Sequence, residues 1–242
     1  MSISSIVYNT ECIDGMRNWA DKSFDLAICD IPYGIGVGNM PYLKAAVTIK
    51  QKNGKRLGTP RKNYKIKDWD TYVPGQRYFD ELRRVSHDQI IFGIDYVDWN
   101  NVGPGRIIWD KCVAEGMSFS RYETAYCSLI STTTTIPLLW SGMQQAKSLK
   151  EPTTPQGDKR LNEKRIHPCQ KPVLLYQKLL SLYGQGCDFI LDTHVGSGSS
   201  RIAAELAGMG YVGFEVDREY WEKQEKRFNK FIRQLPLFER TT

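Results

Sequence analysis

Several features that would mark a secreted, membrane or zinc-binding protein are missing from this sequence. Its six cysteines are scattered without a Cys-x-x-Cys pair, which argues for free thiols in a reducing compartment and against a disulfide framework or a zinc site. No apolar run approaches the length of about 18 residues that a membrane span needs, and the N-terminus lacks a basic-then-apolar signal pattern. We therefore expect a soluble intracellular protein with no membrane partner and no bound metal.

The composition allows one substantial domain with a basic surface. The chain has 242 residues, of which 41% are hydrophobic, and its formal net charge is +6. This length and composition fit a single large α/β domain over residues 1–242, with a small insertion at most. A mildly basic balance is compatible with nucleic-acid binding but does not establish it.

The most informative stretch is an apolar run that ends in a glycine-spaced turn. Residues 188–191 precede Gly196-x-Gly198, and a helix-compatible segment and a second apolar run over 211–214 follow. This pattern predicts strand, turn, helix and strand, with Glu215 at the position where a ribose would lie. The third glycine of a dinucleotide site is missing. The pattern therefore favours a nucleoside cofactor without a pyrophosphate, such as S-adenosylmethionine, over a nicotinamide dinucleotide.

A second apolar strand, over residues 24–29, runs directly into Asp30-Ile31-Pro32-Tyr33. Further strands are predicted at residues 6–8, 89–93, 106–109 and 124–130, and helices at 12–19, 74–85, 172–183, 201–207 and 218–235. About seven strands that alternate with helices predict a doubly wound, mostly parallel sheet. If the strands that end at Asp30 and near Gly196 are neighbours at a switch point, their motifs share one crevice.

Two segments lack this periodicity. Residues 40–67 contain nine basic residues and no acid, which predicts a long, mobile, basic loop that contacts phosphates. A loop that is merely solvated is the alternative. Residues 131–166 are rich in Thr, Ser, Gly, Pro and Lys and are interpreted as an irregular insertion. Both segments are candidates for contact with DNA.

The residues at the second strand end suit methyl transfer to an exocyclic amine of a base. Such an amine is a poor nucleophile because its lone pair is delocalised into the ring. The carboxylate of Asp30 and the carbonyl of Ile31 can accept its two N–H groups, Pro32 fixes the turn, and Tyr33 offers a face for stacking. A base inside a duplex cannot reach such a pocket, so it must be flipped out.

With these motifs, the chain resembles the β class of DNA amino-methyltransferases, in which the catalytic motif precedes the cofactor motif. Asp30-Ile31-Pro32-Tyr33 is similar to the family's Asp-Pro-Pro-Tyr, with a departure at Ile31. Residues 192–200 resemble its Asp-Pro-Phe-x-Gly-Ser-Gly-Thr-Thr, with departures at Thr193 and His194. Residues 167–172 match its His-Pro-Thr-Gln-Lys-Pro box, which helps hold the cofactor. Residues 109–111 and 120–123 resemble the strands after the catalytic motif.

The resemblance implies a seven-stranded, Rossmann-like methyltransferase sheet with one antiparallel strand and a circularly permuted motif order. It implies a catalytic role for Asp30, Ile31, Pro32 and Tyr33, and the cofactor S-adenosyl-L-methionine. The residues implied to bind this cofactor are Glu11, Cys12, Asp30, His167, Gln170, Lys171, Asp192, His194, Gly196, Ser197, Gly198, Ser199, Glu215 and Asp217. It also implies a homodimer and a cytoplasmic setting in a bacterial or virus-infected cell, with or without a restriction partner.

The implied activity is methyl transfer to N6 of a flipped adenine in double-stranded DNA, because an aspartate heads the catalytic motif. Methylation of cytosine N4 is the first alternative, and an RNA or protein acceptor is more distant. The departures at Ile31, Thr193 and His194 leave open a non-catalytic DNA-binding subunit. A nicotinamide oxidoreductase would leave the Asp30 motif unexplained. His194 could pack against the cofactor, weaken its binding or act as a general base.

Overall fold

Strands and helices alternate along the chain. The computed structural model describes residues 4–36, 48–50, 56–58, 70–100, 102–114, 120–141 and 144–234. The strands within these ranges are β1 Ser5–Tyr8, β2 Phe24–Asp30, β3 Thr48–Lys50, β4 Arg56–Gly58, β5 Ser86–Phe92, β6 Arg106–Asp110, β7 Tyr122–Cys127, β8 Thr133–Pro137, β9 Phe189–Asp192 and β10 Gly210–Phe214. The α-helices are α1 Cys12–Met16, α2 Gln76–Val85, α3 Val173–Tyr183, α4 Ser199–Leu206 and α5 Arg218–Gln234, and two 3₁₀ turns cover Ile94–Tyr96 and Lys159–Leu161.

The main sheet of the described residues has eight strands in the order β1-β10-β9-β2-β5-β7-β6-β8. Strands β1, β10, β9, β2 and β5 pair in parallel, whereas β7 runs antiparallel to both of its neighbours. The doubly wound, mostly parallel sheet and its single antiparallel strand are therefore confirmed. The predicted number of seven strands is wrong, because β8 adds an edge strand beside β6.

The apolar strands show no alternation of polar and apolar residues, because both faces of the sheet are buried. On β2, Leu26 and Ile28 belong to one buried cluster, and Ala27 and Cys29 to the other. Helices α3 and α4 complete the first cluster with Leu175, Leu179, Ala203 and Ala204. Helices α1 and α2 complete the second with Met16, Phe79, Leu82 and Val85. Strands buried on both sides are typical of a sheet with helices on both faces.

The predicted helices are present, with boundaries shifted by a few residues. Helix α2 begins at Gln76, two residues after the predicted Pro74, and buries the predicted face of Tyr78, Phe79, Leu82 and Val85. Pro172 lies in extended backbone at the N-cap of α3, just before the first helical residue. That position suits proline, whose missing N–H costs nothing there.

The two segments without periodicity have different outcomes. In residues 40–67 the structure describes only the backbone of an antiparallel pair, β3 and β4. The rest of that segment, including most of its basic residues, lies outside the described residues. In residues 131–166 the prediction of an irregular insertion is partly wrong, because Thr133–Pro137 forms β8. The three consecutive threonines of β8 are good strand formers, but they carry little hydrophobic signal.

The strand order places the two sequence motifs side by side. Strands β2 and β9 pair in parallel through Leu26–Ile190 and Ala27–Leu191, so Asp30 and the glycine turn leave the same edge of the sheet. From β9 the sheet continues to β10 and β1, and from β2 it continues to β5. The junction is a topological switch point, where open α/β sheets form a crevice. Strand β1 pairs in parallel with β10, the strand that precedes Glu215.

Candidate active site

A cleft opens at the carboxyl ends of β1, β2, β9 and β10. It encloses about 670 Å³, including its open mouth. Eight of the residues predicted for the site line this cleft: Glu11, Cys12, Asp30, Pro32, His167, His194, Gly196 and Glu215. The structure thus brings the two sequence motifs and the acid after β10 into one crevice.

The glycine turn depends on backbone conformations that other residues rarely adopt. Gly196 has φ 52° and Gly198 has φ 73°, both in the left-handed region. Glu215 holds the turn across the cleft, because its Oε2 accepts the Gly196 N–H at 2.8 Å. Its Oε1 accepts the N–H of Asp217 at 2.8 Å. Burial raises the pKa of Glu215 to about 7, so this carboxyl titrates near neutral pH.

Asp192 supports the same turn from below. Its Oδ1 accepts the His194 N–H at 2.9 Å, and its Oδ2 accepts from the hydroxyls of Ser200 and Tyr211 at 2.5 and 3.3 Å. Burial raises the pKa of Asp192 to about 6, although the Ser200 hydrogen bond opposes this. This carboxylate fixes the exit from β9 and does not itself line the cleft.

The two departures from the family's cofactor motif interact with each other. The hydroxyl of Thr193 lies 2.9 Å from Nδ1 of His194 and 2.6 Å from the hydroxyl of Tyr78. The His194 ring also packs edge-on against Tyr78. Desolvation lowers the pKa of His194 to about 4, so its imidazole is neutral at physiological pH. The pair presents a fixed, uncharged ring to the cleft.

His167 forms the opposite side of the glycine turn. Its ring packs edge-on against Tyr220 with centroids 4.3 Å apart, and its Nδ1 accepts the Cys169 N–H at 3.2 Å. A methyl group added at Gly196 would lie 3.8 Å from this ring. The absence of a side chain at Gly196 therefore keeps the passage between turn and imidazole open.

Asp30 lies in a cluster of charged side chains. Lys171 forms an ion pair with Oδ1 of Asp30, and the Tyr33 hydroxyl donates to the same oxygen at 3.1 Å. Lys171 also lies 3.0 Å from Oε2 of Glu123 and donates to the Tyr33 hydroxyl at 3.1 Å. Lys111 pairs with the other oxygen of Glu123 at 2.6 Å. Two carboxylates and two ammonium groups thus form one connected network.

The ion pairs of this network offset the free-energy cost of burying its charged groups. Burial raises the pKa of Asp30, and the charge of Lys171 opposes that shift. Burial also disfavours the ionised form of Glu123, but Lys171 and Lys111 lower its pKa to about 2. The two carboxylates raise the pKa of Lys171 above its usual range even though burial opposes this. Lys171 and Glu123 are therefore charged at neutral pH.

The loop after β2 is held by Asp70 and packed by an aromatic side chain. Oδ1 of Asp70 accepts the backbone N–H groups of Tyr33 and Gly34 at 2.7 and 3.1 Å. The Tyr33 ring stacks on Tyr96 with centroids 4.7 Å apart and an interplanar angle of 9°. One face of Tyr33, which was expected to stack on a base, is thus covered by Tyr96, which is 52% exposed.

Several predicted site residues lie behind the cleft wall. Ile31 is buried, and Tyr33 and Lys171 contact Asp30. Arg227 donates to the carbonyl of Ser197 and the hydroxyl of Ser199 at 2.8 and 2.9 Å. The others are backbone supports: Gly198 is the N-cap of α4, Oε1 of Gln170 accepts the Ile166 N–H, and Oδ1 of Asp217 accepts the Tyr220 N–H.

Four residues that had no predicted role lie beside the catalytic motif in the structure: Lys111, Glu123, Asp70 and Tyr96. Lys111 lies next to β6 and Glu123 lies on β7, both in segments that carry the family resemblance. That resemblance could therefore have identified them. Asp70 follows the basic segment, and Tyr96 ends a 3₁₀ turn after β5. No local pattern indicates that either contacts Tyr33.

Similarity to known proteins agrees with the site. A family model for N6/N4 methyltransferases, described as DNA methylase, matches residues 108–226. This range contains Glu123, the 167–172 box, the glycine turn and Glu215, but not Asp30. The placement of Asp30 in the same cleft comes from the strand order alone.

Two curated relatives illustrate the range of similarity. The type II methyltransferase M2.MboI of Moraxella bovis is 23% identical over 93% of this chain and 87% of its own length. The type II methyltransferase M2.LlaDCHI of Lactococcus lactis subsp. cremoris is 34% identical over 64 residues, which are 26% of this chain and 24% of that protein. Sequence identity is thus low over most of the chain and higher over a short part of it.

Solved structures share the fold at low identity. PvuII DNA methyltransferase, which is cytosine-N4-specific, aligns with a TM-score of 0.52 and 11% identity over 94% of this chain and 87% of that one. TTHA0409 of Thermus thermophilus aligns with a TM-score of 0.50 and 14% identity over 96% of this chain and 97% of that one. Within the described residues, no helix is long and apolar enough to cross a membrane.

Proposed function

We propose that this chain, which matches the N6/N4 DNA methylase model over residues 108–226, transfers a methyl group from S-adenosylmethionine to N6 of a flipped adenine in double-stranded DNA. The observation that carries the proposal is the shared cleft, in which Asp30 faces the same space as Gly196 and Glu215. A methyl donor and its acceptor must meet in one such space. Separate sites on opposite edges of the sheet would have excluded this chemistry.

The residues of the cleft fit S-adenosylmethionine. Glu215 offers carboxylate oxygens at the end of β10, where ribose hydroxyls bind in related sheets. Phe214 and Val216 line the wall beside it with apolar surface that suits a purine ring. Gly196, Thr193 and His194 form the neutral, polar wall near Asp30. When bound, the cofactor supplies a methyl group that is already activated on a sulfonium.

The chain's own residues prepare the acceptor amine. The carboxyl group of Asp30 is the candidate acceptor for one N–H of the amine, and the carbonyl of Ile31 is the candidate acceptor for the other. These contacts pull the nitrogen towards tetrahedral geometry and free its lone pair for attack. Positioning of this kind supplies much of the rate for a transfer between two bound groups. The Asp30 carboxylate can also receive the proton that the methylated amine loses.

The choice of adenine depends on the aspartate that heads the catalytic motif, as in the family's adenine-specific members. Cytosine N4 is the alternative acceptor, because both amines need the same pair of hydrogen-bond acceptors. Residues 1–242 would act as one methyltransferase domain, with segments 40–67 and 131–166 on the DNA. We assign no recognition sequence, because base-edge contacts and DNA shape determine it.

The deciding experiment is methyl transfer from labelled S-adenosylmethionine to duplex DNA, followed by nucleoside analysis. The expected product is labelled N6-methyladenosine in its deoxy form. Labelled N4-methylcytosine would move the acceptor to cytosine while leaving the rest of the proposal in place. Absence of cofactor binding in calorimetry, together with no DNA product, would instead favour the non-catalytic DNA-binding subunit.

A further inference from the structure

Lys171 lies on the acceptor side of the active site, although its sequence box is associated with the cofactor. Its side chain is 4% exposed, and its ammonium group contacts Asp30, Glu123 and the Tyr33 hydroxyl. Three oxygen ligands around one buried ammonium leave its three N–H donors fully used. Lys171 does not itself line the cleft, so it acts on the site through Asp30, which does.

Glu123 forms ion pairs with two lysines. Because one of them is Lys171, Glu123 competes with Asp30 for the Lys171 ammonium group and limits how strongly Lys171 can neutralise Asp30. Its Oε2 lies 3.0 Å from Lys171, and its Oε1 lies 2.6 Å from Lys111. Lys111 is itself held by the carbonyl of Ser120 at 3.0 Å. Glu123, on the antiparallel strand β7, thus gives Lys171 a second carboxylate partner besides Asp30.

We propose that Lys171 and Glu123 are a positioning pair for the acceptor carboxylate: Lys171 holds Asp30 ionised and oriented, and Glu123 keeps Lys171 from neutralising it fully. The inference rests on the proposed function, in which Asp30 accepts an N–H of the target amine. Among the described residues, the bonds from Lys171 and Tyr33 both reach Oδ1 of Asp30. Its Oδ2 is then the oxygen directed to the amine.

The chemistry needs both members of the pair. A buried carboxylate without a cation takes up a proton, and a protonated Asp30 would accept an N–H only weakly. A lysine that served Asp30 alone would compete with the amine for the carboxylate charge. The titratable groups that face Asp30 come from β7, β9, α3 and the adjoining loops: Glu123, Asp192, Tyr176, Tyr33, Cys169 and Lys171.

The pair predicts opposite shifts for two substitutions. In Lys171→Met, Asp30 loses its counter-ion, and its pKa should rise by about 1–3 units. In Glu123→Gln, the neighbouring negative charge disappears and Lys171 is left to Asp30, so the pKa of Asp30 should fall. Lys171→Arg keeps the charge and should restore most of the wild-type value. Lys226→Met, at an exposed position of α5, is the matched control and should change nothing.

The experiment titrates the ¹³C-labelled Asp30 carboxyl by NMR in the full chain, with the signal assigned by its loss in Asp30→Asn. Calorimetry measures the Kd of S-adenosylmethionine for each folded variant, and methyl transfer to DNA gives the pH profile of kcat. We expect the acid limb of kcat to follow the Asp30 pKa in both directions while the cofactor Kd stays unchanged. If Lys171→Met does not fold, the Asp30 titrations in Glu123→Gln and Lys171→Arg still test the proposal.

Two results would overturn the inference. One is an unchanged Asp30 titration in Lys171→Met or Glu123→Gln, and the other is a large rise in the cofactor Kd, which would make Lys171 a cofactor ligand. Failure of the proposed function would look different, because wild-type protein would then methylate no DNA. The NMR titration and the calorimetry do not depend on turnover, so they would still decide the role of the pair.

Discussion

Both carboxylate oxygens of Glu215 accept hydrogen bonds from backbone N–H groups, yet Glu215 is also the residue expected to bind the cofactor. Oε2 holds Gly196 and Oε1 holds Asp217, each at 2.8 Å. A carboxylate has about four acceptor sites, so two further donors can bind without breaking these contacts. The same residue thus shapes the glycine turn and presents charge to the cleft.

This dual role predicts that cofactor binding depends on pH near neutrality. Burial raises the pKa of Glu215 from 4.5 to about 7. The stability that its protonated form contributes is present below pH 4.5 and is lost as the pH rises through about 7. Binding has the opposite dependence, because ribose hydroxyls bond more strongly to the ionised form.

We expect the affinity for S-adenosylmethionine to fall about tenfold from pH 8 to pH 6, as one titrating group requires. Calorimetry across this range is the measurement. In Glu215→Gln the affinity should be lower, by about tenfold at pH 8, and independent of pH. A wild-type affinity that stays flat over the range would separate Glu215 from the cofactor.

At Asp30, substitution should separate binding from chemistry. Asp30→Ala removes the acceptor for the amine but leaves Glu215, His194 and Gly196 in place, so turnover should vanish while cofactor affinity stays nearly intact. Single-turnover methyl transfer and calorimetry measure the two effects. Near wild-type turnover in this variant would remove Asp30 from the mechanism.

Among elements, the loop after β2 is held by a residue that follows the basic segment. Asp70 is 2% exposed, and its Oδ1 accepts from both Tyr33 and Gly34, while its carbonyl accepts from Gly36. Each donor left unsatisfied in this site would cost about 1–3 kcal/mol. The catalytic loop therefore depends on a contact with a residue just beyond the segment expected to bind DNA.

We predict that Asp70→Ala lowers kcat by about 10- to 100-fold, because a small displacement of a reacting group has effects of that size. Asp70→Asn keeps an Oδ1 acceptor and should retain much of the activity. Steady-state kinetics on DNA and calorimetry with S-adenosylmethionine check this, and the cofactor Kd should not change. Equal losses in both variants would contradict a role for the Oδ1 acceptor.

Elements with a strong apolar pattern were predictable, and contacts between distant elements were not. The seven apolar strands, the glycine turn and the face of α2 follow from local sequence, because burial on both faces produces long apolar runs. Strand β8 was missed because Thr133, Thr134 and Thr135 carry little hydrophobic signal. The neighbouring positions of β2 and β9 could be anticipated only through the switch-point rule.

The same limit applies to the active site. Asp30, Gly196 and Glu215 follow from motifs at strand ends, and the cleft that unites them was expected. The contact of Lys171 with Asp30 joins residues 141 positions apart, and no local spacing reports it. Thr193 and His194 looked like two independent departures in the sequence, whereas the structure shows that they form a bonded pair.

For the molecule as a whole, charge is distributed unevenly along the chain. Nine basic residues and no acid occur between residues 40 and 67, against a net charge of +6 for the entire chain. The rest of the chain is therefore close to neutral or slightly acidic. Most of this segment lies outside the described residues, so its contact with DNA stays a prediction from sequence. The described residues that flank it, Gly36 and Asp70, are hydrogen-bonded to each other beside the Asp30 loop.

Neutralising Lys50, Lys52, Lys55 and Arg56 should weaken DNA binding and flatten its dependence on salt. If all four contact phosphates, the slope of log affinity against log salt should decrease by about 3–4. Fluorescence anisotropy with duplex DNA at several salt concentrations measures the slope. Neutralising Lys223, Lys226 and Lys230 on α5 is the matched control, and cofactor affinity should be unchanged in both variants. A slope equal to that of the wild type would identify the segment as a solvated loop. If phosphate contacts had been lost, DNA binding would release fewer counterions and the slope would be smaller.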